Sequence, residues 1–403
     1  MPEIPKTIVD PEIIRNPFPT LALLREHAPV FEDESIGVYF VTRYDDVKAL
    51  MAEGKILSRD RRLAPGFTPP PAGSWAEKMD EQGTGRAEGE DHRAWRARLS
   101  KGFTPRAVAR QEQQVRDVVA RFGDPLRGRD GVVDLVDAFT NPIPNTVISR
   151  IVGIPPYPDE EDRFRQLAQD VIRRFFFMAD EENIRRGEAA FDELAEWVGK
   201  LALDRRQAPA EDLVSDLIHG NPDDPMTDEE IVIVIAVLIA AGSETTTLGG
   251  TNALRLLLKH PDQLARLRED PSLSRGAVRE SLRFDFGTIA GSPRFASEDF
   301  DLHGVTIPKG STLMLSAAAA NRDPRVFEDG DTFDITRDNR EMLTFGSGPH
   351  YCLGANLALQ EMACMLDSAI GFLPEGAQLL EDDIEWERIG LMERPVGLPV
   401  RFS

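Results

Sequence analysis

Cysteine is almost missing from this 403-residue chain: only Cys352 and Cys364 occur. Two thiols cannot build a disulfide framework, so a packed core must hold the fold, and the reducing cytoplasm is the expected compartment. Positive charge is also short. Lys and Arg number 47 against 69 Asp and Glu, a net charge of -22, and that field repels nucleic acid and anionic membranes alike. Long apolar runs are missing too. The longest, Ile231 to Gly242, falls well short of the roughly 18–20 residues that cross a bilayer, so no membrane association is expected. The opening residues Met1-Pro2-Glu3-Ile4-Pro5-Lys6 lack the basic, apolar and small-residue order of a secretory leader. No fixed-period repeat and no low-complexity linker divides the chain, and residues 1–403 are expected to form a single domain.

What is present is helical periodicity. It covers 91–122, 159–176, 181–206, 227–260, 274–285 and 353–373, while strand signals are confined to Val38–Thr42, a hairpin at 300–310, and Leu398–Phe402. The fold class is therefore mainly α with a small β region. Residues 64–90, rich in Pro and Gly, read as one long loop of the kind that serves as a lid or binding loop. Thr227-Asp228-Glu229-Glu230 is a capping box, and Pro261 marks the far end of its helix. Such a helix spans on the order of 50 Å. Its middle, Ile231 to Ala241, is apolar on every side, which predicts burial all round.

The chemistry concentrates at Phe345-Gly346-Ser347-Gly348-Pro349-His350-Tyr351-Cys352-Leu353-Gly354. Two glycines allow a close backbone approach to a ligand, and Pro349 stiffens the turn. Cys352 precedes a helical pattern, where N–H donors and the helix dipole favour a thiolate. An anionic sulfur ligand to iron has that requirement. A zinc site of His350, Cys352 and Cys364 is the rival, but it lacks a fourth ligand and any Cys-x-x-Cys pair. At every specified position the segment resembles the haem-binding loop of the cytochrome P-450 superfamily, Phe-Gly-x-Gly-x-His-x-Cys-x-Gly. The resemblance implies a triangular-prism fold with a long central buried helix, and haem b whose iron is bound axially by Cys352.

Three further motifs follow the same resemblance. Ala240-Ala241-Gly242-Ser243-Glu244-Thr245 puts polar residues abruptly into the apolar helix. A mid-helix Thr commonly bonds back to the carbonyl one turn earlier, here Ala241, and opens a groove. The motif resembles the family's oxygen-binding segment and implies proton delivery to dioxygen by Glu244, the acid, and Thr245, the alcohol. Glu280-Ser281-Leu282-Arg283 resembles the family's Glu-x-x-Arg pair, a structural element behind the haem loop, with Arg337 the candidate third member. Two propionates need cationic or hydrogen-bonding partners, and the resemblance implies His92, Arg96, Arg294 and His350 for that task. Asp285-Phe286-Gly287 spells a kinase metal motif, but no phosphate loop accompanies it. Two departures stand out. Leu359 replaces a basic residue after the cysteine, and Asp285–Ile289 replace a Pro-rich wall segment.

The activity implied is a haem-thiolate monooxygenase that inserts one oxygen atom from dioxygen into a C–H or C=C bond. Absence of a Gly-x-Gly-x-x-Gly after any strand means no built-in flavin or nicotinamide domain. Electrons are therefore expected from a separate ferredoxin and ferredoxin reductase, with the enzyme itself a monomer. Residues 86–129 carry 11 Lys/Arg against 6 Asp/Glu, a basic patch suited to an acidic ferredoxin, with Arg106 and Arg110 as contact candidates. Pocket candidates are the 64–90 loop, Phe175–Met178, Ala240-Ala241, Ile289-Ala290 and Leu391-Met392, which suit a hydrophobic terpenoid, steroid, fatty acid or macrolide-type substrate. A peroxide-driven peroxygenase and a non-catalytic haem sensor or carrier are the alternatives. The Glu244-Thr245 pair counts against both.

Overall fold

Helix-forming runs separated by caps and prolines dominate the chain, and the computed structural model follows them. It describes residues 3–82, 88–154, 161–220, 225–287 and 291–402. Long helices occupy Glu161–Arg173, Glu181–Gln207, Asp228–Lys259, Ser274–Phe284 and Ala355–Phe372, near the expected bounds. The expected helix at 91–122 is instead two, Gly89–Ser100 and Pro105–Gly123. Pro105 cannot continue a helix but fits the first position of the next, where the Thr104 hydroxyl accepts from the Ala107 N–H at 3.2 Å. The 64–90 segment is not one loop, because Trp75–Gln82 is helical. Ser74 Oγ accepts from the Glu77 N–H at 3.1 Å, and the Glu77 carboxylate accepts from the Gly73 N–H, a start signal hidden among the prolines.

The central helix Asp228–Lys259 is capped as its sequence predicts. Thr227 Oγ1 accepts from the Glu230 N–H at 3.2 Å, and Glu230 Oε2 accepts from the Thr227 N–H at 2.8 Å. Ile231 through Ala236 are all buried. By length and hydropathy alone this helix could cross a bilayer, which the uninterrupted run Ile231–Gly242 understates. Its most apolar window is 72% buried against neighbouring helices, the placement of a core helix. Gly249 and Gly250 let the Ala355–Phe372 helix come close; a Cβ there would stand 2.7 and 2.9 Å from the Met362 and Met365 sulfurs.

The β portion is small and closes at a distance in sequence. Five strands order as Val30–Asp33, Val38–Val41, Thr312–Leu315, Ser292–Ala296 and Leu57–Ser58, with the second and third parallel. The expected hairpin forms between Phe300–Leu302 and Val305–Ile307, turning through His303 and Gly304 at φ +51 and +79. Pro399–Phe402 pairs with Gly131–Asp134 on one side and Gln378–Leu379 on the other. A separate hairpin joins Trp386–Ile389 to Met392–Pro395.

Behind the cysteine loop lies a buried charge cluster. The side chains of Glu280 and Arg283 are fully excluded from solvent, and Arg283 Nε and Nη2 donate to the two carboxylate oxygens at 2.8 Å. Arg283 also donates to the carbonyls of Asn321, Gly330 and Thr332. Arg337 Nε completes the trio at 3.4 Å from Glu280. Asn321 then accepts from the Leu343 N–H at 2.7 Å and donates to Thr344 Oγ1 at 2.9 Å, which carries the restraint into the loop. Removing one partner of such a pair leaves an uncompensated buried charge. Arg283→Met should therefore lower unfolding stability by about 3–5 kcal/mol, read by chemical denaturation; a loss under about 1 kcal/mol, the value of an exposed pair, would show the cluster to be dispensable.

Candidate functional site

The cysteine loop is held by backbone geometry that only glycine adopts easily. Gly346 and Gly348 have φ of +78 and +70, and a Cβ on Gly348 would meet Ala52 Cα at 2.7 Å. The Cys352 N–H donates to Phe345 O at 2.8 Å, folding the loop back on itself ahead of the helix Ala355–Phe372. Burial pushes the Cys352 thiol up in pKa, while the Gly354 N–H, Arg96 and the Ala355 N–H pull it down. The donors expected for a thiolate are in place; a bound cation would supply what they lack. Cys364 is buried in the helical core and is pushed to about 11. It does not join Cys352, and no group of three His, Cys, Asp or Glu suited to a metal ion occurs among the described residues.

Across from the loop runs the central helix, with a cavity of about 1100 Å³ between them. Leu343, Thr344 and Gly346 line it from the loop side, and Glu244, Thr245 and Leu248 from the helix side. Thr245 lines it and is exposed, Ala241 one turn earlier is exposed but is not part of its wall, and Thr245 Oγ1 donates to Ala241 O at 2.5 Å as the sequence predicts. Glu244 also borders the cavity, but its carboxylate takes a different partner, since neighbours on a helix diverge. It is buried, and its Oε1 accepts from Arg394 Nη1. Burial, and then Arg173, lower Arg394 to about 10, so Arg394 stays protonated at neutral pH.

The predicted propionate partners converge. Arg96 donates to Tyr351 O, His92 and His350 stack with ring centroids 4.0 Å apart, and Arg294 is buried on the strand Ser292–Ala296. Two residues that the sequence did not single out join them. Arg59 lies within electrostatic reach of Arg96 and Arg294. Glu88 accepts from His350 Nε2 at 2.9 Å and from the Arg59 N–H at 3.3 Å. Burial works against the Glu88 charge, yet His350 and Arg59 hold its carboxyl below the usual range. Burial, then His350 and Arg96, lower His92 to about 4, so it acts as a neutral hydrogen-bonding group. Burial and the nearby Arg59 lower Arg294 to about 9. Three guanidiniums thus crowd one carboxylate, and a ligand carrying two carboxylates relieves that imbalance. The donor set fits haem b.

The predicted pocket walls divide. Phe176 and Met392 line the cavity, whereas Ala240, Ala241 and the described part of 64–90 do not; Phe175 and Met178 face solvent and Phe177 packs beside Leu391 in a separate core cluster. Ile289-Ala290 lie outside the described residues.

A family model described as Cytochrome P450 matches residues 33–370. The chain is 35% identical over 396 residues to 6-deoxyerythronolide B hydroxylase of Saccharopolyspora erythraea, covering 95% of each. It is 34% identical to nocardicin C N-oxygenase of Nocardia uniformis subsp. tsuyamanensis, covering 94% of this chain and 92% of that one. Among solved structures, P450BioI in complex with acyl carrier protein ligated to hexadec-9Z-enoic acid superposes with a TM-score of 0.88 at 29% identity, covering 97% and 99%. Because the Gly348 conformation and its approach to Ala52 both exclude a side chain, Gly348→Ala should displace the loop and lower the haem-to-protein ratio of purified protein. An unchanged ratio would show that the loop tolerates a Cβ.

Proposed function

The chain belongs to the cytochrome P450 family and is a P450 monooxygenase with haem b as its cofactor; from that premise we propose that it oxidises a hydrophobic natural product, macrolide-type in size, with electrons from a separate ferredoxin and reductase. The observation that carries the substrate reading is the apolar patch of Phe176, Leu248 and Met392 in the wall of a cavity of about 1100 Å³, a volume that haem and substrate would share. The relatives named for hydroxylating 6-deoxyerythronolide B and oxygenating nocardicin C support the same class. Spectral titration with 6-deoxyerythronolide B and with hexadec-9Z-enoic acid tests it: a low-spin to high-spin change with the first and none with the second is expected, and the reverse favours a fatty-acid substrate.

Haem b, when bound, supplies the activation of dioxygen and the transfer of one oxygen atom to the substrate. The residues proposed to hold it are Cys352 at the iron and His92, Arg96, Arg294, His350 and the added Arg59 at the propionates. Thr245, open to the cavity, gives its hydroxyl hydrogen to Ala241 O and offers the oxygen as an acceptor to an ordered water beside dioxygen. Glu244, turned away, relays protons toward Thr245. Phe176, Leu248 and Met392 keep bulk water, which would release peroxide unproductively, from their part of the cavity. The ferredoxin reading is supported by exposed Arg106 and Arg110 on a helix that packs against Ala355–Phe372, where Gln360 donates to Val108 O at 3.2 Å. Association steered by those charges weakens with salt.

Two sets of variants test the assignments. Cys352→Ala should abolish the red-shifted Soret band of the reduced carbon monoxide complex, and Cys364→Ala should keep it; the opposite pattern moves the iron ligand. Thr245→Ala should keep haem binding and NAD(P)H consumption but divert electrons to peroxide, and Glu244→Gln should slow turnover by roughly 10²–10⁴-fold. Fully coupled turnover in Thr245→Ala would remove Thr245 from the oxygen pocket.

A further inference from the structure

Glu88 stands at the N-terminal boundary of the helix Gly89–Ser100, yet its carboxylate makes no capping hydrogen bond to that helix. An acid there is ordinarily drawn to the free N–H groups and the helix dipole. Instead it turns to two distant segments. Its Oε2 accepts from His350 Nε2 at 2.9 Å, 262 positions away, and its Oε1 accepts from the Arg59 N–H at 3.3 Å. His350 sits in the cysteine loop, two residues before Cys352, and Arg59 follows the strand Leu57–Ser58 at the edge of the five-stranded sheet. The helix that Glu88 opens carries His92 and Arg96 four and eight positions on, a spacing that sets them on one face. One carboxylate therefore joins the loop that presents the iron ligand, the sheet edge and the helix that carries Arg96.

The same carboxylate is the acid among the guanidiniums of Arg59, Arg96 and Arg294. With Glu88 charged, these four groups carry a net +2, equal and opposite to two propionates; a neutral residue at position 88 would leave +3. A negative charge beside haem opposes the addition of an electron to the iron and so favours the ferric form. We propose that Glu88 is a positioning residue that ties the cysteine loop to the Arg59 edge of the sheet, and that its charge holds down the reduction potential of the haem bound there. This rests on the placement of the propionates at Arg59, Arg96, Arg294 and His350. The tie needs an acceptor oxygen at position 88, whereas the potential needs the charge, so substitution separates the two.

The test takes two measurements on the haem-loaded protein: the ferric/ferrous midpoint potential, by reductive titration with mediator dyes, and the rate of haem loss to excess apomyoglobin. Glu88→Gln keeps one acceptor oxygen and removes the charge. It should favour the ferrous form about tenfold, ~59 mV upward for one electron, with haem loss within about threefold of the unsubstituted protein. Glu88→Ala should give the same upward shift and lose haem about tenfold faster, since the loop and the sheet edge no longer share a partner. An unchanged or lower potential in both variants overturns the charge role, and an unchanged rate of haem loss in Glu88→Ala overturns the tie. Glu88→Asp keeps the charge on a shorter stem and should lose haem faster at an unchanged potential. It decides the matter if the neutral variants load no haem, an unchanged rate of loss again overturning the tie. Arg96→Leu tests the premise separately. Unchanged haem loss there removes the propionate placement, whereas faster loss there with none in Glu88→Ala removes the tie alone.

Discussion

A fully buried arginine organises the half of the molecule that presents the cysteine. Arg283 has its guanidinium hydrogens on the Glu280 carboxylate and on the carbonyls of Asn321, Gly330 and Thr332. A desolvated ion pair is seldom a net gain over apolar packing, but it is unforgiving of misplacement. Here that intolerance is useful. The stretch from Asn321 to Arg337 has little regular structure of its own, so its course is set by carbonyls that must reach Arg283. Asn321 transmits that course to Leu343 and Thr344, and the loop that ends in Cys352 begins there. The iron ligand thus gains a fixed origin from charges that never touch it.

Two charge clusters of the site differ in balance. Near the loop, Arg59, Arg96 and Arg294 are gathered around one acid, Glu88, a site with surplus positive charge for an anionic ligand. Beside the central helix, acids and bases alternate from Glu244 through Arg394, Glu387, Arg173 and Asp170 to Arg186, three of each, so no surplus remains. One cluster suits an anionic ligand, and the other balances its own charges. The difference lies in the count of partners, since both clusters draw on the same residue types.

Local spacing made much of this legible in advance. The capping box at Thr227 and the Thr245 to Ala241 hydrogen bond depend on residues near in sequence, whereas the partnership of Glu280, Arg283 and Arg337 was expected from the family resemblance, since Arg337 lies 57 positions from Glu280. Burial was harder to read. Glu280 and Arg283 one helical turn apart resemble an ordinary surface pair, and only the crossing segment at 321–337 excludes water from them. Arg59, Glu88 and Arg394 could not be read at all. Arg394 and Glu244 stand 150 positions apart, and nothing in Met392-Glu393-Arg394-Pro395 marks a partner across the molecule. Pro and Gly density also hid the helix Trp75–Gln82, because its cap, Ser74 with Glu77, sits inside the run that reads as loop.

The pairing of Val38–Val41 with Thr312–Leu315 sets an order in time as well as in space. A parallel pair needs a crossover, and in this chain the crossover contains the central helix and most of its neighbours. During synthesis the early strands must wait for residue 315 before their sheet can close. Arg294, registered against Leu313, takes its place only then, and Cys352 leaves the ribosome later still. A cofactor gripped from both the sheet and the cysteine loop therefore draws on segments made late in chain growth, and the Ala355–Phe372 helix that packs against the central one is made later still.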